Sequence, residues 1–492
     1  MILKNHLKLG IAISCFVLGD QAWAQTQEAD DAGLVFEPCV LTLPGTPISG
    51  PAECGELMVA ENPADPEGRQ ISLNIARVPA SGRNAEPDPV FLFAGGPGQA
   101  ATEAWLIVAG AFRKVNENRD IILIDQRGTG KSNPLKCPEI ELEEALSTDW
   151  EAIEEFTREC LQGVDGDPRF YTTTIGMQDY DIVREALGYQ EINLWGASYG
   201  TRAAQVYMRM FPDRVRTAVL DSVVPQELPL GIDHAIMLDK AVFRVLENCD
   251  NDQDCDSQFP NTSQKLRNLV ARLESTPVET TIDHPSTGEP LTLTFDRDAL
   301  AGSLRFLMYS PSSQALLPLL ITEAADDNDF GRLASQMIIS TSGISDMIAM
   351  GMEMSVTCAE DFPFFPHDDS SAGLLMGNTM VEATRSKCGV WPQGDVPDGF
   401  HDPVESDKPV LLLSGELDPV TPPEYADQVA KHLPNSLHVV APGQGHSVTG
   451  QGCLADIVAD FISSANLDGL ETECINQLST TPYFMSLTGP KP

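Results

Sequence analysis

Several short stretches of this 492-residue chain place reactive residue types in the turn after an apolar run. The most informative is Gly196-Ala197-Ser198-Tyr199-Gly200, which follows Ile192-Asn193-Leu194-Trp195 and precedes a helical pattern beginning near Thr201. A serine between a strand and a helix adopts a strained backbone, and small residues two positions to either side let the turn close while Oγ points outward. The motif alone is weak evidence in a chain with 38 glycines; its strand-turn-helix setting predicts a nucleophile elbow. Such a serine needs a base and an orienting acid. Asp418 follows the run Val410–Leu413 and His446 follows Leu437–Val440, which puts the three in the order Ser, Asp, His. His446 would take the Ser198 proton and return it to the leaving group, while Asp418 would hold the imidazole tautomer and stabilise its cation. Glu416 is the alternative acid.

Attack by that serine on a carbonyl creates an oxyanion, which two backbone N–H groups can hold. The turn Gly95-Gly96-Pro97-Gly98 after Phe91-Leu92-Phe93-Ala94 offers one donor, expected from Gly96, and Tyr199 offers the other. A phosphate-cradling loop is the competing interpretation, but neither GxGxxG nor a complete P-loop is present. The stretch Asp125 to Ser132 ends in Gly-Lys-Ser, yet the first glycine of a nucleotide-binding loop would fall on Asp125. Asp125 and Arg127 are therefore expected to fix the turn beside the site. Asp250 to Asp254 resembles a calcium loop, but Cys255 replaces the required glycine and Asn261 the required glutamate, so no metal is expected there.

Short apolar runs that could carry these turns as buried strands are Leu57–Ala60, Ile71–Val78, Val90–Ala94, Ile121–Asp125, Ile192–Trp195, Thr217–Leu220, Val410–Leu413 and Leu437–Val440. Helical patterns lie between them, at Glu103–Val115, Trp150–Cys160, Met177–Leu187 and Arg202–Met210. Strands that alternate with helices need crossovers, and crossovers give a doubly wound, mostly parallel α/β sheet. From about Pro225 to Asp407 the rhythm changes to helix-rich sequence, including Ala235–Leu246, Ser263–Leu273, Arg297–Met308 and Gln314–Ala324. An insertion between two strands of one sheet reads as a helical lid. The expected organisation is a leader over 1–24, a core over 25–225 and 408–492, and a lid over 226–407.

Composition narrows the function. With 31 Lys and Arg against 72 Asp and Glu, the formal charge is −41, which excludes nucleic-acid binding as the main task. A content of 42% hydrophobic residues still supports a large core. Lys4, His6 and Lys8 precede the apolar run Leu9–Leu18, and Ala22-Trp23-Ala24 supplies a cleavage pattern, so the chain is expected to be exported, to a periplasm or the medium. That run is too short to span a bilayer, and no membrane insertion is expected. Without the leader ten cysteines remain, and pairing sequence neighbours gives 39 with 54, 137 with 160, 249 with 255, 358 with 388, and 453 with 474.

Taken together, Gly-Gly-Pro-Gly at 95–98, Asp-Gln-Arg-Gly-Thr-Gly-Lys-Ser at 125–132, Gly-Ala-Ser-Tyr-Gly at 196–200, Asp-Pro-Val-Thr-Pro at 418–422 and Gly-Gln-Gly-His at 443–446 resemble the exported proline iminopeptidase and tripeptidyl aminopeptidase branch of the α/β-hydrolases. The resemblance implies an α/β-hydrolase fold and a serine exopeptidase that removes a proline-linked residue or short peptide from a free amino terminus, without cofactor or metal. Ala94 departs from the histidine that many proline iminopeptidases carry before Gly-Gly-Pro-Gly. An exopeptidase of this kind binds the substrate ammonium, for which Glu360 and then Asp361 are the candidates, in a Cys-Ala-Glu-Asp segment that resembles one recurring in this branch. A carboxylesterase or lactonase on the same fold is the alternative function.

Overall fold

The computed structural model describes residues 34–138, 149–345, 347–365, 374–486 and 488–490. The leader expected over 1–24 lies outside the described residues.

Eleven strands occur in the described chain: β1 (Glu37–Thr42), β2 (Ser49–Ala60), β3 (Gln70–Val78), β4 (Val90–Phe93), β5 (Ile121–Ile124), β6 (Ile192–Ala197), β7 (Val215–Asp221), β8 (Val278–Asp283), β9 (Pro290–Phe295), β10 (Val410–Gly415) and β11 (Ser436–Ala441). Nine of them form one sheet in the order β1-β2-β3-β5-β4-β6-β7-β10-β11. Pairing is antiparallel from β1 to β5 and parallel from β5 to β11. The continuous apolar character of the central strands follows from burial on both faces. Side chains alternate across a strand, so Phe91, Phe93, Ile122, Ile124, Leu194 and Leu412 enter one core, and Val90, Leu92, Ile121, Leu123, Trp195 and Leu411 the other.

Helices Thr173–Ala186, Tyr199–Met210 and Pro423–Ala430 cover the first face through Met177, Tyr180, Ala203, Tyr207, Ala426 and Val429. Helices Ala101–Val108 and Leu454–Ser464 cover the second through Trp105, Ile457, Val458 and Phe461. Each buried side chain of this size contributes roughly 1.5–3 kcal/mol, so the sheet is a rigid platform whose strand ends hold the loops that follow them.

Between β7 and β10 the chain leaves the sheet. Helices His234–Asn251, Thr262–Ser275, Arg297–Leu307 and Gly331–Ser345 gather around a separate core that includes Leu238, Leu246, Leu266, Leu300, Leu304 and Phe330. The hairpin β8–β9 joins that core through Ile282, Leu293 and Phe295, an element absent from the helix-rich expectation. Five disulfides join Cys39–Cys54, Cys137–Cys160, Cys249–Cys255, Cys358–Cys388 and Cys453–Cys474, so neighbours in sequence pair throughout. They suit an oxidising, extracytoplasmic compartment. Among the described residues no helix is long and apolar enough to cross a membrane.

Candidate active site

Ser198 sits at the carboxyl end of β6 as the residue before helix Tyr199–Met210, with φ 56° and ψ −127°. This conformation is strained for a residue with a Cβ, and the surroundings determine it. Ser198 N–H donates to Asp221 O at 3.0 Å, and the Ser198 carbonyl accepts from Thr201 N–H at 2.8 Å and Thr201 Oγ1 at 2.7 Å. The flanking glycines are a steric necessity. A Cβ on Gly200 would lie 2.0 Å from Phe93 O, and one on Gly196 would lie 2.4 Å from Gly200 O.

Asp418 and His446 come from the turns after β10 and β11. Their side chains meet with His446 Nδ1 2.8 Å from Asp418 Oδ2. Asp418 is buried and saturated with donors: Val420 and Thr421 N–H reach Oδ1, each at 2.8 Å, while Thr421 Oγ1 at 2.8 Å and Ser222 Oγ at 3.0 Å reach Oδ2. Burial pushes this carboxyl up, but the His446 charge, its hydrogen bond and the backbone donors outweigh burial and hold it at about 2. Burial likewise lowers the imidazole pKa, and the Asp418 charge and hydrogen bond overcome that to raise it above the ordinary histidine value. Glu416, the alternative acid, accepts instead from Gly443 N–H at 2.9 Å and meets Arg244 at 3.3 Å. Among the described residues Ser198 Oγ makes no hydrogen bond to His446; such bonds are often long before substrate binds.

The glycine turn lies against the elbow. A Cβ on Gly95 would be 3.4 Å from Ser198 Cβ, and one on Gly96 (φ 105°) would be 2.8 Å from Gly98 N. Among the described residues neither the Gly95 nor the Gly96 N–H is taken by a backbone carbonyl. Tyr199 N–H heads its helix, where amides lack intrahelical partners. The segment between β7 and β10 reaches both sides of this site. Ala349 N–H donates to Gly98 O at 2.9 Å, and Gln99 bridges to Ile348. The Tyr309 carbonyl accepts His446 N–H at 3.0 Å, and its ring stands edge-on to the imidazole at 5.0 Å.

Asp125 and Arg127 are structural. Asp125 accepts from Asn74 Nδ2 at 2.8 Å and from Thr102 N–H at 3.0 Å, while Arg127 makes a two-pronged contact with Asp179 at 2.7 Å on each prong. Glu360 and Asp361 lie under the elbow, both with 0% exposure. Glu360 accepts Thr173 N–H at 2.6 Å and Thr173 Oγ1 at 2.7 Å, and Thr173 Oγ1 lies 2.7 Å from Tyr199 OH. Burial, reinforced by the adjacent Asp361, raises the Glu360 carboxyl to about 7. Asp361 Oδ1 is held by Arg202 at 2.7 Å and by Leu230 N–H at 2.8 Å. Ser222 and Tyr309 escape a sequence reading, since each is a common residue type outside any motif; Thr421 lies within Asp-Pro-Val-Thr-Pro, but nothing in that stretch announces its bond to Asp418.

Comparison with known proteins supports the fold. Residues 88–318 match the model of the alpha/beta hydrolase fold, and residues 373–474 match that of TAP-like protein. The chain has the α/β-hydrolase fold. It is 25% identical over 463 residues to the serine protease Hip1 of Mycobacterium tuberculosis, covering 87% of this chain and 88% of that one. It is 31% identical over 217 residues to the tripeptidyl aminopeptidase of Streptomyces lividans, covering 39% of this chain and 38% of the relative. A proline iminopeptidase of Lactobacillus acidophilus is 27% identical over 144 residues, covering 29% of this chain and 38% of that one. These relatives are peptidases by name, and the chain is a hydrolase of the same fold.

Proposed function

We propose that this protein is an exported serine aminopeptidase that releases a proline-linked residue or short peptide from a free amino terminus, with Ser198 as nucleophile, His446 as base and Asp418 as orienting acid. The observation that carries the reading is the 2.8 Å contact between His446 Nδ1 and a donor-saturated Asp418, on the same edge of the sheet as the strained Ser198. In the first step Ser198 Oγ attacks the scissile carbonyl as its proton passes to His446 Nε2, and the Gly96 and Tyr199 N–H groups receive the oxyanion. His446 then protonates the departing amine, and water, deprotonated by the same imidazole, hydrolyses the acyl-enzyme. The segment from 226 to 407 serves as a lid, since its Ile348–Ala349 and Tyr309 contacts lie on the glycine turn and the base. Glu360, wholly buried, acts on a substrate ammonium only through Thr173 and Tyr199, and Asp361, wholly buried and paired with Arg202, does not contact it. Five disulfides favour residence in the periplasm or the medium.

The same groups would serve a carboxylesterase or lactonase, so substrate choice is the test. Peptide anilides ending in proline or alanine, with free or acetylated amino termini, are compared with short-chain esters. Cleavage of the free-amino-terminus anilides alone supports the aminopeptidase. Ester hydrolysis with no anilide cleavage refutes it.

A further inference from the structure

Asp221, the last residue of β7, is wholly buried and joins two parts of the site. Its backbone carbonyl accepts Ser198 N–H at 3.0 Å, which ties the end of β7 to the elbow. Its carboxylate holds the chain just beyond His446. Val448 N–H lies 2.9 Å from Oδ1 and 3.0 Å from Oδ2, Thr449 N–H 2.8 Å from Oδ2, and Thr449 Oγ1 2.6 Å from Oδ2. Thr449 Oγ1 accepts in turn from Trp195 Nε1 at 3.0 Å, three residues before Ser198 on β6.

Burial pushes this carboxyl up, while among the described residues every hydrogen-bond partner it has is a donor, which favours the ionised form. No lysine or arginine forms an ion pair with it among the described residues, and a buried charge without a cation is costly. An asparagine could accept the same backbone N–H groups, so the hydrogen bonds alone do not call for a charge. The nearby group that gains from one is the His446 imidazole, two residues before Val448. The charged and titratable groups around that ring are Asp418 in direct contact, Asp221, and from the lid Arg305 and His234. Both carboxylates favour the imidazolium and Arg305 opposes it.

We propose that Asp221 is a positioning residue that pins the His446 loop to the Ser198 strand and supplies a second negative charge to the imidazolium formed when Ser198 gives up its proton. The proposal rests on the Ser-His-Asp reading above.

The test is Asp221→Asn in the full chain. Its amide oxygen at the Oδ2 position keeps all three donors there, and its amide nitrogen replaces Oδ1 beside Val448 N–H, so the substitution removes charge with little change of shape at the cost of one donor–donor contact. The His446 pKa is read by NMR titration of its ring C–H, assigned with a His446→Gln control, and kcat and KM are followed against pH. D221N should lower that pKa by roughly half to one unit. It should lower kcat roughly three- to tenfold, since the same field that raises the pKa stabilises the transition-state cation. KM should not move, because Asp221 has no exposed surface. Thr449→Val, which deletes the Oγ1 hydrogen bonds to Asp221 and from Trp195 and keeps the charge, should leave the pKa in place. An unchanged His446 pKa in D221N overturns the proposal whatever happens to the rate. If D221N does not fold, carboxyl-carbon NMR of the parent decides: an ionised Asp221 at pH 7 supports the proposal, and a protonated one overturns it. Because the pKa is read without substrate, failure of the peptidase reading is recognised separately, by absence of hydrolysis and of Ser198 labelling.

Discussion

Replacing Asp418 with Asn changes one atom of the site, and its effect follows from the hydrogen bonds around it. Oδ1 accepts two backbone N–H groups at 2.8 Å, so the amide oxygen of the variant has to stay there. The amide nitrogen then takes the Oδ2 position, facing His446 Nδ1 at 2.8 Å. An N–H aimed at Nδ1 turns that nitrogen into an acceptor and moves the ring proton to Nε2, the atom that has to receive the Ser198 proton. The expected result is a fall of about 10⁴ in kcat, the size of a wrong-tautomer defect, with KM little changed. Stability gives a second reading. The Asp418 carboxyl lies at about 2 against an ordinary 3.8. A depressed carboxylate pKa stabilises the fold above the unfolded value, and that contribution disappears as pH falls from about 4 to about 2. At about 1.36 kcal/mol per unit the contribution is about 2 kcal/mol at pH 7. D418N should therefore unfold at lower denaturant at neutral pH, and the gap to the parent should close near the acid end. Initial rates on a chromogenic substrate and denaturant melts at several pH values measure both. A folded D418N that keeps more than a tenth of the parent kcat would refute the assignment of Asp418 as the orienting acid.

The acid limb of kcat/KM should have its midpoint above the ordinary histidine value of 6.5, because His446 is raised and has to be neutral to accept a proton; a midpoint below 6 contradicts this. Gly200→Ala drives a Cβ to within 2.0 Å of the Phe93 carbonyl and should cost about 3 kcal/mol or more and abolish activity. Gly110→Ala, with nothing within 4 Å, should be close to neutral in the same melts. Replacing both Cys358 and Cys388 by serine opens a link across 30 residues and should lower unfolding free energy by roughly 3–4 kcal/mol, measured against the parent with its disulfides intact.

The central sheet was legible in the sequence because its strands are buried on both faces and read as short apolar runs. β1, β8 and β9 were not, because most of their residues are at least partly exposed and their alternation is carried by threonine and single aliphatic residues, as in Val278-Glu279-Thr280-Thr281-Ile282-Asp283. The candidate reactive residues could be read because each follows a strand and sits in a motif. Their supports could not be. Ser222 is a serine with φ 61° that donates to Asp418 and accepts Ser447 N–H at 2.8 Å, a role that exists only once β7, β10 and β11 lie side by side. Glu360 and Asp361 stood out as an acidic pair, yet burial depends on Thr173 and Arg202, 187 and 159 residues away in sequence.

The strained elbow also explains why the site needs so much scaffolding. Ser198, Ser222 and Ser447 all have positive φ, at 56°, 61° and 63°, and all three lie where the ends of β6, β7 and β11 converge. Conformations of this kind persist only where neighbouring contacts over-determine them, and here those contacts are the short bonds to Asp221, Thr201, Asp418 and Ser222. A platform of nine paired strands is what keeps the three turns in register.

The most direct test is covalent labelling with a fluorophosphonate probe followed by peptide mapping. The proposed mechanism predicts near-stoichiometric modification of Ser198 in folded protein, with none in Ser198→Ala or after denaturation and strong slowing in His446→Gln. Labelling that is absent from folded protein, or that falls on another serine while Ser198 stays free, would contradict it.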